Sequence, residues 1–177
     1  MGILKFKKIY NSKSYLTVSV LGNNLKLNIK YLNIPAVELN KKDNEIDLFL
    51  PNKYKNVENI DVINLAIQKL YSTIADTEIE YSMEIARHIL KFAPEDYKIQ
   101  RLDNEFYKCS KNKIIINPDI VRYSRDIINT TIIQAFCKIK HRPNSNAYKK
   151  LLNEAMNSYE IYKTKSTNNK FLKVSSF

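Results

Sequence analysis

The chain is 177 residues long, with 44% hydrophobic and 27% charged residues, 29 basic against 18 acidic side chains for a net charge of +11, and only two glycines. That length suits one domain with a substantial core, and the apolar content excludes a chain disordered throughout. No run of about 18 apolar residues occurs, and the start Met1-Gly2-Ile3-Leu4-Lys5-Phe6-Lys7-Lys8 carries neither a long apolar stretch nor a cleavage site, so the expectation is a cytoplasmic protein with no membrane span.

Tyr15 to Val20 alternates in the manner of a strand, turns at Leu21-Gly22-Asn23-Asn24, and alternates again from Leu25 to Tyr31, which predicts a hairpin. Two further short strands are expected at Ala36 to Leu39 and Glu45 to Leu50, so the first fifty residues read as an antiparallel sheet. From Val57 the period changes. Val62, Leu65, Ala66, Lys69, Leu70 and Ile74 fall three and four apart on one helical face, which predicts a core-facing stripe. Asp76-Thr77-Glu78 supplies capping and first-turn acids for a second helix running through Ile85, Ile89 and Phe92 to a stop before Pro94. Strand character returns at Lys98 to Asp103, Phe106 to Ser110 and Lys113 to Ile116. Asn117-Pro118-Asp119 opens a helical turn, Ser124 caps a helix with the stripe Ile128, Ile132, Ala135, Phe136 and Ile139, and Pro143 ends it. A last helix starts near Ser145 with Tyr148, Leu151, Leu152, Ala155 and Tyr159. Past Lys163 the polar run 164–170 has no apolar period and reads as a basic tail.

The positive charge is carried mainly by Lys, with only five Arg, whereas readers of nucleic acid lean on the bidentate guanidinium. A solvated basic surface is the plainer reading, and a nucleic-acid-binding module is kept as an alternative. Two glycines, at positions 2 and 22, cannot build a phosphate loop. Zinc catalysis takes three protein ligands, and the chain holds two His and two Cys with no local pair of either. His88 reads as a helix-face residue, His141 as a cation at a helix C-terminus, and Cys109 and Cys137 as buried reduced thiols. Glu78, Glu80 and Glu84 could pair as acid and base, but read more simply as the solvated side of a helix.

A longer pattern runs through Phe106-Tyr107-Lys108-Cys109-Ser110, then Lys113 to Asn117, then Ile132-Ile133-Gln134-Ala135-Phe136-Cys137-Lys138, and finally Asn144-Ser145 with Tyr148. In order and spacing it resembles the YgjP-like metallopeptidase domain, a compact zincin related to the SprT-type and WLM proteases. That family has a β-rich N-terminal segment and a helix pair, followed by a strand with W-G-S-C-S and a short strand ending in Asn. H-E-x-x-H then lies on a helix, and a third His follows six residues after the second. The resemblance covers most of the chain and is closest from Tyr97 to Leu152. It implies a single α+β, zincin-like domain over residues 1–162: an N-terminal antiparallel β segment, a helix pair, a small β segment, a degenerate active-site helix and a C-terminal helix. A basic flexible tail would occupy 163–177.

At the positions of the first His, the catalytic Glu, the second His and the third His this chain has Gln134, Ala135, Lys138 and Asn144. An amide is a poor zinc ligand, Ala cannot take a proton, and an ammonium repels a divalent cation. These four are therefore expected to be vestigial positions, with no catalytic residue, metal or cofactor. Lys138, one turn after Gln134, is placed for its ammonium to reach the amide oxygens of Gln134 and Asn144; the plain alternative is a solvent-facing Lys. The leading expectation is a pseudoenzyme that binds a peptide or protein in the former cleft. The alternatives are a metal-dependent hydrolase with displaced ligands such as His141 and His88, and the basic nucleic-acid module.

Overall fold

The computed structural model describes residues 16–56 and 59–174, with side chains up to Ser166. The expected strand start at Tyr15, the helix start at Val57 and the N-terminal eight residues lie outside the described set. Within it the chain is α+β, with three helices and two small sheets.

Strands β1 (Thr17–Val20) and β2 (Asn23–Leu32) form the expected hairpin. Its two-residue loop has φ of 50° at Leu21 and 82° at Gly22, the doubly positive conformation that matches the twist of paired strands. Gly22 is required twice over. It relieves the left-handed φ, and a Cβ there would come within 3.1 Å of the Ser124 Cβ, because Leu21 N donates to Val121 O at 2.7 Å and draws the loop onto the segment before Ser124.

Strands β3 (Glu38–Lys41) and β4 (Glu45–Pro51) pair antiparallel, but β4 lies parallel to β2, so the sheet is mixed, in the order β1-β2-β4-β3, and not antiparallel throughout. Alternation fixes which face of β4 is apolar and does not choose its neighbour. Ile46, Leu48 and Leu50 bury the same face whichever way β2 runs.

The opposite face of β4 holds Asp47, which is 2% exposed. Its carboxylate accepts from Lys42 at 2.8 Å, Lys30 at 3.1 Å and the Asn28 amide at 3.2 Å. The hydrogen bonds from Lys42 and then Lys30 outweigh the cost of burial and hold its carboxyl down at about 2. Because the folded value lies below the unfolded one, this contribution is complete above roughly pH 4 and is lost as pH falls toward 2. Asp47→Asn is therefore expected to flatten the acid limb of stability between pH 4 and 2, read as the urea midpoint at each pH; an unchanged limb would show that other carboxylates dominate acid unfolding.

The expected helix pair is one helix, α1 (Ile60–Leu90). Asp76 and Thr77 lie on its exposed side, and with no Pro or Gly to break the ladder the buried row Ile63, Ile67, Tyr71, Ala75, Ile79, Met83 and Ala86 passes straight through. The fully buried row is thus not the predicted one, though Val62, Ala66, Leu70 and Ile74 of the predicted stripe are half-buried and pack against the core. Val62, Leu65, Ala66 and Leu70 also line an open groove of about 570 Å³ with Val37, Leu39 and Tyr54, and Leu65 is 64% exposed. The helix thus carries a fully buried apolar row and, beside it, a half-buried one that lies at the edge of the core and lines the groove. It ends at Lys91, whose φ of 58° is the left-handed stop and whose N–H returns to Arg87 O.

The second sheet has the order β5-β7-β6, from β5 (Asp96–Ile99), β6 (Tyr107–Ser110) and β7 (Lys113–Ile116), with β5 parallel and β6 antiparallel to β7. The expected strand Lys98 to Asp103 stops at Ile99. Asn117, almost buried, donates both amide hydrogens, to Leu102 O and Glu105 O at 3.0 Å each, and so gathers the following residues into a loop. A 3-10 turn (Pro118–Arg122), opened by the Asn117 side chain accepting from Asp119 N, leads to α2 (Arg125–Lys140), capped by Ser124 as expected. Helix α3 (Asn146–Val174) begins where the Ser145 hydroxyl accepts from Tyr148 N at 3.1 Å, and its backbone continues through the segment expected as a tail as far as Val174. No helix among the described residues is long and apolar enough to cross a membrane.

Candidate functional site

The two halves of the sequence pattern meet in space. Strand β6 lies across α2, where Cys109 Sγ is 3.6 Å from the Ala135 carbonyl oxygen and the Lys138 ammonium stands 5.2 Å from the centre of the Tyr107 ring. The cause is the pleat: Tyr107 and Cys109 point to the α2 side and are half-buried, while Lys108 and Ser110 point away and are exposed. On α2, Ala135 and Cys137 face inward, Gln134 is half-buried, and Lys138 reaches the surface along the rim of Tyr107.

Asn144 is exposed, with φ of 66°, in the connection just before Ser145 starts α3. Among the described residues no hydrogen bond joins Lys138 to Gln134 or Asn144, so the expected amide cradle for its ammonium is not formed. A cation–π contact with Tyr107 takes its place, for the side chain of Lys138 emerges on the strand side of α2.

Burial governs the ionisable groups here. It pushes Tyr107 up to about 12, assisted by the neighbouring Tyr148, Cys109 and Cys137. It pushes the Cys137 thiol up to about 11 and raises Cys109, against the opposing pull of the Lys138 charge. Both cysteines are unbridged and remain protonated near neutrality, which leaves neither as a ready nucleophile.

The other candidate residues serve elsewhere. His88 is exposed on α1 with its ring 6.1 Å from that of Tyr162, and His141 is the C-cap of α2. Among the described residues no three His, Cys, Asp or Glu side chains gather within reach of one metal ion. Of the α1 carboxylates, Glu80 and Glu84 are exposed as expected, while Glu78 is half-buried. Glu78 receives a forked pair of hydrogen bonds from Arg125 at 2.7 and 2.5 Å, which ties the start of α2 to α1, and Glu80 accepts from the Tyr97 hydroxyl.

A backbone feature escaped the sequence. Phe106 O accepts from Asn117 N at 2.8 Å, and Ile116 O accepts from Gln100 N at 2.9 Å, on the far side of β7. In an antiparallel pair the bonded and unbonded positions alternate, so Phe106, Lys108 and Ser110 turn their backbone groups toward β7 while Tyr107 and Cys109 turn theirs outward. No strand among the described residues pairs with that outer edge of β6. Models of known protein families, curated proteins and solved structures all give no match to this chain.

Proposed function

We propose that this chain is a catalytically inactive relative of the YgjP-like metallopeptidases, and that it binds an extended peptide segment as an added strand along β6. The observation that carries the reading is the outward backbone of Tyr107 and Cys109, directly over the helix that holds Gln134, Ala135 and Lys138. A peptide laid there would take four backbone hydrogen bonds from two residues of β6, and its side chains on the helix side would pack on Tyr107. Lys138 gives the site its preference, because an acidic side chain on the incoming strand would meet its ammonium at the rim.

Contact between the strand motif and the helix motif supports the family frame, and the residue types at the four degenerate positions support the lack of hydrolysis. Gln134 and Asn144 are neutral amides, Ala135 has no ionisable group, and Lys138 is a cation.

The test uses the full chain and peptides selected from a displayed random library. Proline at position 109 removes the outward N–H while staying compatible with an edge strand. Cys109→Pro is expected to weaken the selected peptides by about tenfold or more, as loss of a hydrogen bond plus a steric clash would do, whereas Cys109→Ala should retain them within about twofold. Selected peptides that bind Cys109→Pro unchanged would remove β6 as the docking edge. Stoichiometric zinc in the purified protein, stripped by chelator together with a peptidase activity, would overturn the inactive reading in favour of a hydrolase. A steep loss of RNA or DNA affinity with salt, in the absence of peptide binding, would favour the nucleic-acid module.

A further inference from the structure

A second cavity, of about 530 Å³, opens between α1, the loop of residues 101–106 and the 3-10 turn that precedes α2. None of the four degenerate positions lines it. Two of the chain's five arginines do, and they differ in state. Arg101 is engaged: its Nη1 lies 2.9 Å from Asp119 Oδ1 and its Nη2 donates to Gln68 O at 3.3 Å. Arg122 is half-buried and its backbone carbonyl accepts from Gly22 N at 3.3 Å, but its guanidinium takes part in no hydrogen bond or ion pair among the described residues.

A guanidinium carries five donors and no acceptor, so in a cavity without a protein partner it is free to take an anion. Beside it, Tyr71 lines the same cavity with its ring buried, and its hydroxyl likewise has no hydrogen-bond partner among the described residues. Burial pushes the pKa of that hydroxyl up, against the opposing charge of Arg122, so it is a donor at neutral pH. At the mouth, Phe106 and Tyr123 meet edge to face at 5.1 Å and remain 40% and 39% exposed, a pair of rings with apolar surface left over.

We propose that this cavity is a binding site for a small oxyanion attached to a flat apolar ring, the anion held by Arg122 and Tyr71 and the ring set against Phe106 and Tyr123. A guanidinium fork matches a carboxylate or a phosphate in two parallel hydrogen bonds, and the Tyr71 hydroxyl supplies a third donor. Three carboxylates also line the cavity. Asp119 is neutralised by Arg101, while Asp103 and Glu105 sit on the exposed loop, where solvent and salt screen them more than they screen the half-buried Arg122. The site is held open by Asn117, whose two amide donors fix the loop and whose oxygen fixes the start of the 3-10 turn. This inference is independent of the strand-binding reading, because no residue is shared with the outer edge of β6.

The experiment titrates the full chain with benzoate, phenyl phosphate, inorganic phosphate and neutral benzyl alcohol, following the aromatic and arginine side-chain signals by NMR. One of the two ring-bearing anions is expected to saturate with a Kd of about 1 mM, typical of so small a ligand, and to bind at least about tenfold tighter than either inorganic phosphate or benzyl alcohol. Benzoate and phenyl phosphate separate a carboxylate ligand from a phosphate ligand. Arg122→Leu should weaken the better anion about tenfold or more, and Tyr71→Phe, which keeps the ring and the packing, should weaken it severalfold. Lys138→Ala should leave it unchanged. Failure of both anions to bind by about 20 mM, or binding that survives Arg122→Leu and Tyr71→Phe, overturns the site.

Discussion

Phe136→Ala is expected to destabilise the protein by about 3–5 kcal/mol, the cost of removing a large ring from a site that cannot collapse around the void. The Phe136 side chain has no exposed surface and sits mid-helix on α2, with its ring 5.9 Å from that of Phe92 just beyond the end of α1. Its neighbours along α2, Ile132, Ile133, Ala135 and Cys137, are also buried, so few groups are free to move into the space. For a chain of this length that loss corresponds to a fall in Tm of roughly 6–20 °C. Ile127, on the same helix but 43% exposed, supplies the control: Ile127→Ala should stay within about 0.5 kcal/mol of the parent. Urea unfolding followed by circular dichroism measures both. A cost below about 1 kcal/mol for Phe136→Ala would mean that α2 is not the central helix of the core.

What could be read in advance divides along a physical line. Features set by neighbours in sequence were legible. The β1–β2 hairpin follows from alternation and from Gly22, and α2 from its Ser124 cap and its apolar stripe. Features set by distant residues were not. The parallel pairing of β2 with β4 depends on where the β3–β4 hairpin docks, and alternation is blind to that. The end of β5 at Ile99 is imposed by Asn117, 18 residues further on, through two carbonyls it captures. Asp76 and Thr77 have the side chains of a helix start, yet on the exposed side of α1 they are simply polar surface, and the buried row decides.

The candidate site follows the same division. The order of the strand and helix motifs placed Cys109 and Ala135 in one region. The partner of Lys138 was not legible, because Tyr107 lies 31 positions earlier and reaches it only through the packing of β6 on α2. The cavity holding Arg122 had no signal at all in the sequence, for its residues come from three separate segments.

Asn129→Ala carries the second large effect, expected at about 2–3 kcal/mol, because it breaks a buried polar chain that joins all three helices. Ser82 on α1 donates its hydroxyl to Asn129 Oδ1 at 2.6 Å, the Asn129 amide on α2 donates to the Tyr159 hydroxyl at 2.8 Å, and that hydroxyl on α3 donates to Asp126 Oδ1 at 2.8 Å. Ser82 can fall back on Glu78 O at 2.9 Å, so it is not stranded by the change. The loss therefore lies in the Asn129–Tyr159 bond and the space the amide filled. Tyr159→Phe attacks the same bond from the other side. It should cost about 1–3 kcal/mol, since the buried Asn129 amide is then left without an acceptor. In the double variant the penalty should fall short of the sum by about 1 kcal/mol, because removing the second partner of a bond already broken costs less. Strict additivity would mean that the two side chains do not share that bond. The consequence reaches the candidate site, for α3 carries both Tyr159 and Tyr148, and Tyr148 stands beside Tyr107, Cys109 and Cys137. A peptide that binds along β6 should accordingly lose affinity in Asn129→Ala even where the protein remains folded, through a loosened wall and with no contact of its own to Asn129.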